Sequence, residues 1–214
     1  MTAAIFSGFV LAALAPWVRK VTRGWAGWLL TLGPLVITAY FIAQAPRIAA
    51  GETLTTSLRW IPMLGVDLAF YLDGLSLVFA IIISGIGALV LLYASAYLAG
   101  DALEGHFYLY LLFFMASMLG VVLANNLITL FVFWELTSLS SYLLIGFKHD
   151  QATSRAAALQ ALLVTNAGGL AMLAGLVLIG QVTGSSTISD LLSQGDAVRA
   201  SDLYVPMLLL VLLG

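Results

Sequence analysis

Cysteine is absent from this 214-residue chain and charge is scarce: 8 Lys+Arg and 10 Asp+Glu together make up 8% of the residues. Without cysteine there are no disulfides, no thiolate chemistry and no Cys-ligated zinc or iron–sulfur centre. A net charge of −2 with no extended basic run excludes nucleic acid as a partner. No glycine loop suited to cradling phosphate is present, and no Ser/His/Asp set has a soluble pocket to hold it. No quinone, haem or flavin ligand can be named, so neither a cofactor nor a metal site is expected. Soluble domains carry about 25% charged residues. A chain that is 62% hydrophobic with so few charges cannot build a water-facing surface, and its expected environment is the lipid bilayer.

What is present is a series of long apolar runs. Segments of about 17 to 25 apolar residues, each long enough to cross a bilayer, fall at roughly 2–18, 24–45, 74–99, 107–124, 127–147 and 156–182. A Gly/Ser/Asp-rich loop at 183–202 separates these from an apolar run, 203–214, that is too short to span and reads as the start of a seventh helix. The expected fold is therefore an all-α polytopic membrane protein: six complete transmembrane helices, the start of a seventh, and a chain that is a fragment of a longer subunit. The first basic residues, Arg19, Lys20 and Arg23, follow the first apolar run instead of preceding it, which is not the order of a secretory signal.

Between the second and third runs, residues 53–60 and 66–72 are rich in Thr, Leu, Val, Phe and Tyr and flank a turn at 61–65, which predicts a short outer-face β-hairpin over about 53–72. Asp73 is placed to cap the third helix. Loops after helices one, three and five carry five basic residues (Arg19, Lys20, Arg23, Lys148, Arg155), against three (Arg47, Arg59, Arg199) in the others. The basic excess predicts a cytoplasmic location for the first set and an N-terminus outside. Trp17, Trp25, Trp28, Tyr93, Tyr97 and Tyr108, near helix ends, fit interfacial anchors. Asp101, Glu104 and Asp150 are expected to face solvent.

One charge lies away from the boundaries. Glu135 falls near the centre of the fifth run, within Phe133-Trp134-Glu135-Leu136-Thr137-Ser138. A charge at the bilayer midplane costs about 2.5–3.5 kcal/mol on insertion scales, so such a group faces protein or water and takes a partner or a proton. A desolvated carboxyl that titrates near neutrality can both load and release a proton. Ser138 and Tyr142, at i+3 and i+7, share the face of Glu135, with Thr137, Ser140 and Ser141 on the following turn. These hydroxyls can bind the carboxylate or hold a file of water, although membrane-helix hydroxyls more often bond their own backbone. Lys148 and His149 stand where the inner mouth of such a path would open. Every Lys and Arg sits at or outside a helix boundary, so a basic partner for Glu135 must come from another segment, unless the carboxyl stays protonated. Asn166 and Thr165, beside Gly168-Gly169, are candidates for neutral contacts, with close helix packing through the glycines as the plainer reading. His106 and His149 lack converging ligands for a metal.

The stretches Tyr71-Leu72-Asp73-Gly74-Leu75-Ser76, Ile83-Ser84-Gly85-Ile86-Gly87-Ala88, Met118-Leu119-Gly120-Val121-Val122, Phe133 to Ser138 and Leu143-Leu144-Ile145-Gly146-Phe147 resemble the large A subunits of Mrp-type multisubunit Na⁺/H⁺ antiporters. Those subunits are similar in turn to the largest antiporter-like membrane subunit of respiratory complex I. The resemblance covers about residues 60–214. It implies a proton-translocating subunit of the cell membrane, with other membrane subunits as partners and H⁺ and Na⁺ as the ions moved. It also implies that Glu135 matches the family's functional glutamate, which the family pairs with a lysine on a broken seventh helix. The implied organisation is helices 1–3 with the hairpin over 1–106, and the start of an antiporter-like helical repeat over 107–214. Two alternatives stand beside it: a proton-pumping subunit of a complex I-like NADH dehydrogenase or membrane hydrogenase, and a structural membrane scaffold.

Overall fold

Alternating long helices dominate the structure, a computed structural model that describes residues 1–61 and 66–214. Helix α1 spans Thr2–Thr22 and a single 3₁₀ turn (Arg23–Trp25) reverses the chain into α2, Ala26–Ala49. Strands β1 (Leu54–Ile61) and β2 (Val66–Leu72) pair antiparallel, in register from Leu54 opposite Leu72 to Arg59 opposite Asp67. Then come α3 (Gly74–Tyr97), α4 (Glu104–Leu123), α5 (Leu127–Ile145) and α6 (Ala152–Thr183). Two short helices, α7 (Ile188–Leu191) and α8 (Gly195–Ala200), lead to α9, Tyr204–Leu213. Six of these helices, α1 to α6, are long and apolar enough to cross a membrane.

The expected six spans and the hairpin are therefore present, with shifted edges. Helix α1 continues past Pro16 and α2 past Pro46, while α4 begins three residues before Phe107 and α6 four before Ala156. The apolar runs mark only the lipid-facing length, and the helices extend beyond it into polar sequence. The 183–202 segment, expected as a loop, contains α7 and α8. Residues 62–65 of the expected turn lie outside the described residues.

Helices pack in sequence order, with α1 also lying along α4. The larger core joins α1–α4 to β2 through Ile5, Leu30, Phe41, Phe70, Leu91 and Leu112, all fully or almost fully buried. In lipid, helices associate mainly through close packing, and small residues permit it. A Cβ on Gly8 would come within 2.8 Å of Ala116 Cβ, and one on Gly120 would enter the Phe133 ring. A smaller cluster, Leu127, Met172 and Leu176, joins α5 to α6.

One end of the bundle is stitched by backbone and amide bonds. Asp73 accepts from Ser76 N–H at 2.8 Å and its own N–H donates to Ser76 Oγ at 2.8 Å, the expected cap of α3 closed into a capping box. Burial acts to raise the Asp73 carboxyl, and the hydrogen bonds from Ser76 outweigh it, leaving the group below the ordinary carboxylate range. At the α4–α5 turn Asn125 N–H donates to Ala69 of β2 at 2.8 Å, and Asn126 Oδ1 caps α5 by accepting from Ile128 N–H at 2.9 Å. Their amides donate to Ser189 and Ser186 of the segment after α6, at 3.1 and 3.0 Å. Hairpin, turn and post-α6 segment thus form one hydrogen-bonded seam. Gly184, with φ +67°, supplies the left-handed residue that ends α6 and sends the chain into it.

Candidate functional site

Glu135 lies one residue before the midpoint of the 19-residue helix α5. Phe133, on the same helix, is buried against Phe70 and Gly120, which fixes the rotation of α5 and turns Glu135 toward α6. There it meets Gly169, near the middle of α6. A Cβ built on Gly169 would collide with Glu135 Oε1 and lie 3.3 Å from Glu135 Cδ. The carboxylate therefore occupies the space a side chain would otherwise fill. Its Oε1 is buried and has no hydrogen-bond partner among the described residues. Buried polar side-chain atoms are nearly always bonded, so an orphaned carboxylate oxygen in the middle of a membrane helix needs a reason.

The hydroxyls expected to serve Glu135 are engaged elsewhere. Thr137 donates to the Trp134 carbonyl at 2.6 Å, Ser138 to the same carbonyl at 3.4 Å, and Ser140 to Leu136 at 2.7 Å. This is the common back-bonding of hydroxyls in membrane helices. Ser141 and Tyr142 are half-buried, and neither side chain makes a hydrogen bond among the described residues. Lys148 and His149 are exposed in the α5–α6 loop, where Arg155 holds the His149 carbonyl at 2.6 Å. Thr165 is exposed and donates to Ala161 of its own helix at 3.0 Å. Asn166 is half-buried, and its side chain has no hydrogen bond among the described residues. The Gly168-Gly169 pair does allow close packing, Gly169 against α5 and Gly168 against Leu213 of α9.

Two expectations are overturned at the end of the bundle opposite the hairpin. Glu104 does not face solvent: it is 3% exposed, accepts from Arg19 Nε at 2.6 Å and from the Tyr108 hydroxyl at 2.7 Å. Tyr108 is not an interfacial anchor, since it is completely buried and spends its hydroxyl on Glu104. The Glu104/Tyr108 spacing of i, i+4 was a usable signal. The third member, Arg19, lies 85 residues away in sequence, and only the packing of α1 on α4 brings it in. Asp101 is half-buried and accepts from Leu103 N–H at 2.8 Å, and so does not simply face solvent either. Asp150 is exposed as expected. Trp17, Trp25, Trp28, Tyr93 and Tyr97 are all exposed large aromatics. His106 is exposed and stands beside Tyr110, and no group of three His, Asp or Glu side chains converges among the described residues.

Six membrane-length helices, a hydrogen-bonded hairpin seam and a single mid-helix carboxylate define a polytopic membrane subunit with an intramembrane ionisable site. Comparison with known proteins narrows the class. The family model described as NADH:quinone oxidoreductase/Mrp antiporter, TM matches residues 124–214, and that described as complex I chain 5 N-terminus matches 60–108. The large Na⁺/H⁺ antiporter protein of the A type from Alkalihalophilus pseudofirmus is 43% identical over 213 residues, covering 99% of this chain and 26% of the relative. The antiporter protein mnhA2 of Staphylococcus haemolyticus is 44% identical over 197 residues, covering 91% and 24%. The solved structure of the Mrp complex from Dietzia sp. DQ12-45-1b superimposes with a TM-score of 0.86 at 33% identity, over 99% of this chain and 23% of that one. The membrane-bound sulfane sulfur reductase, an archaeal respiratory membrane complex, gives 0.78 at 26% identity, over 99% and 33%. The chain belongs to the NADH:quinone oxidoreductase/Mrp antiporter family of membrane subunits, and the relatives it matches along nearly all its length include antiporter A subunits. It spans about a quarter of the length of those curated relatives.

Proposed function

We propose that this chain is part of a proton-translocating subunit of a multisubunit Na⁺/H⁺ antiporter, in which Glu135 takes up and releases a proton during transport. The observation that carries the reading is the buried, unbonded Oε1 of a carboxylate at mid-helix. A structural glutamate at that depth would be expected to be fully bonded, whereas a relay carboxylate needs an oxygen free to receive a proton. Similarity to antiporter A subunits supplies the ion class. The remaining polar path runs along α5 past Ser138, Tyr142, Thr137 and Ser141 to the exposed Lys148 and His149.

In this reading the subunit sits in the cell membrane beside other subunits of the complex, with its N-terminus and hairpin outside and the Lys148 end in the cytoplasm. The excess of basic residues at that end supports the orientation. Residues 1–106 act as a supporting unit and 107–214 as the beginning of the transporting repeat. The basic partner for Glu135 comes from another segment of the subunit or from a neighbouring one.

The test is Glu135→Gln in the complete antiporter complex, assayed in everted vesicles for Na⁺-dependent dissipation of a proton gradient. Loss of exchange in a normally assembled complex is expected, with partial activity in Glu135→Asp. Wild-type exchange in Glu135→Gln rejects the relay and leaves a scaffold role. The complex I match over residues 60–108 favours a second reading, a redox-driven proton pump. It predicts that proton movement follows electron transfer in co-purifying subunits instead of a Na⁺ gradient.

A further inference from the structure

We propose that Gly169 is a positioning residue for Glu135: the missing side chain on α6 forms the slot that holds the carboxylate at mid-helix with one oxygen unbonded. The proposal rests on the relay reading of Glu135 and adds to it the residue that sets where the proton acceptor stands.

Three observations meet at this point. Gly169 is buried in the α5–α6 contact, and a Cβ there would overlap Glu135 Oε1. Trp134 Cδ1, 3.8 Å from the same Cβ position, walls the slot on one side. The oxygen aimed into the slot has no hydrogen-bond partner among the described residues, although Thr137 and Ser138 stand on the following turn of its own helix. A flexible carboxylate free to rotate would pair with such hydroxyls or with water. Seated against bare backbone, it is kept from them.

The geometry also says what a side chain at 169 would do. The colliding atom is the end of a flexible side chain, so rotation of Glu135 relieves the overlap at lower cost than separating two packed helices. Alanine is moreover the better helix former. Gly169→Ala is therefore expected to leave the helices packed while moving the carboxylate. Gly175 offers the contrasting case. It lies six residues further along α6, and its Cβ would meet Val211 Cγ2 of α9 at 2.8 Å, well away from Glu135.

The experiment measures Na⁺-dependent proton exchange across a pH series in everted vesicles carrying the complete complex, with subunit levels determined alongside. Gly169→Ala is expected to assemble normally, to lower the maximal rate about threefold or more and to displace the pH midpoint by about half a unit or more. Gly175→Ala should leave the midpoint in place. In a Glu135→Gln background, Gly169→Ala should add nothing, because the group it acts through is gone. If Gly169→Ala does not accumulate, the Glu135→Asp/Gly169→Ala pair, whose shorter carboxylate clears the new methyl, is expected to restore assembly. A wild-type rate and pH profile in Gly169→Ala, while Glu135→Gln is inactive, overturns the positioning role alone. So does a pH shift of equal size in Gly175→Ala, or failure of the shortened pair to assemble. An active Glu135→Gln overturns the relay and the positioning role together.

Discussion

Two carboxylates of this protein leave water, and they are treated oppositely. Glu104, at one end of the bundle, is met by the Arg19 guanidinium and the Tyr108 hydroxyl, one for each oxygen. Glu135, at mid-helix, sits against a glycine with Oε1 unbonded among the described residues. A buried charge with both oxygens engaged is a clasp: here it ties α1 to α4. Where one oxygen is left open at greater depth, the fold gains nothing from the group, and its retention points to chemistry. The contrast also shows why burial alone is a weak guide. Glu104 is the more buried residue, yet its surroundings leave it nothing to do but hold helices together.

The largest effects should separate the two. Glu135→Gln is expected to abolish exchange at normal subunit levels, whereas Glu104→Gln should reduce the amount of folded subunit with little change in turnover per assembled complex. Removing one member of a buried pair costs about 3–5 kcal/mol, and the 24% exposure of the Arg19 side chain places this case toward the low end. Thermal stability of the purified complex is the measurement. The paired replacement Arg19→Met/Glu104→Leu should recover much of that loss, since no unpaired charge remains. Equal losses of turnover in Glu104→Gln and Glu135→Gln would erase the distinction.

Smaller effects test the seam at the hairpin end, which holds α5 in the rotation that aims Glu135 at α6. Asn126→Ala removes the cap of α5 and the bond to Ser186, and should cost about 1–2 kcal/mol of stability. Asp73→Ala should cost about 1 kcal/mol and carry a pH signature. The Asp73 carboxyl lies below its ordinary range, so its contribution is complete above the pKa it has in the unfolded chain. That contribution is lost as pH falls through the lower folded value. In acid the stability of Asp73→Ala should converge on that of wild type; an unchanged gap at low pH would contradict the cap.

Much of this architecture was legible in the residues. Apolar runs located the six helices because lipid imposes one simple length requirement, and Asp73 was readable as a cap because its partner Ser76 is three residues away. Glu135 stood out because the other charges lie near helix ends. Glu104 was not legible for the same reason, since a carboxylate at a helix end is normally solvated and its partner Arg19 is distant in sequence. The hydroxyls along α5 do less than their spacing suggests, because backbone carbonyls one turn earlier compete for them at no cost in packing. The slot at Gly169 could not be read at all: a glycine says only that something approaches closely, and the neighbour is supplied by the fold.

The most direct test of proton exchange at Glu135 is the infrared difference spectrum of the purified complete complex on a pH step across neutrality, compared between wild type and Glu135→Gln. The expected result is a protonated-carboxyl band that disappears in Glu135→Gln and persists in Glu104→Gln. A carboxyl band of unchanged position and amplitude in Glu135→Gln would show that Glu135 does not exchange a proton, and would contradict the relay.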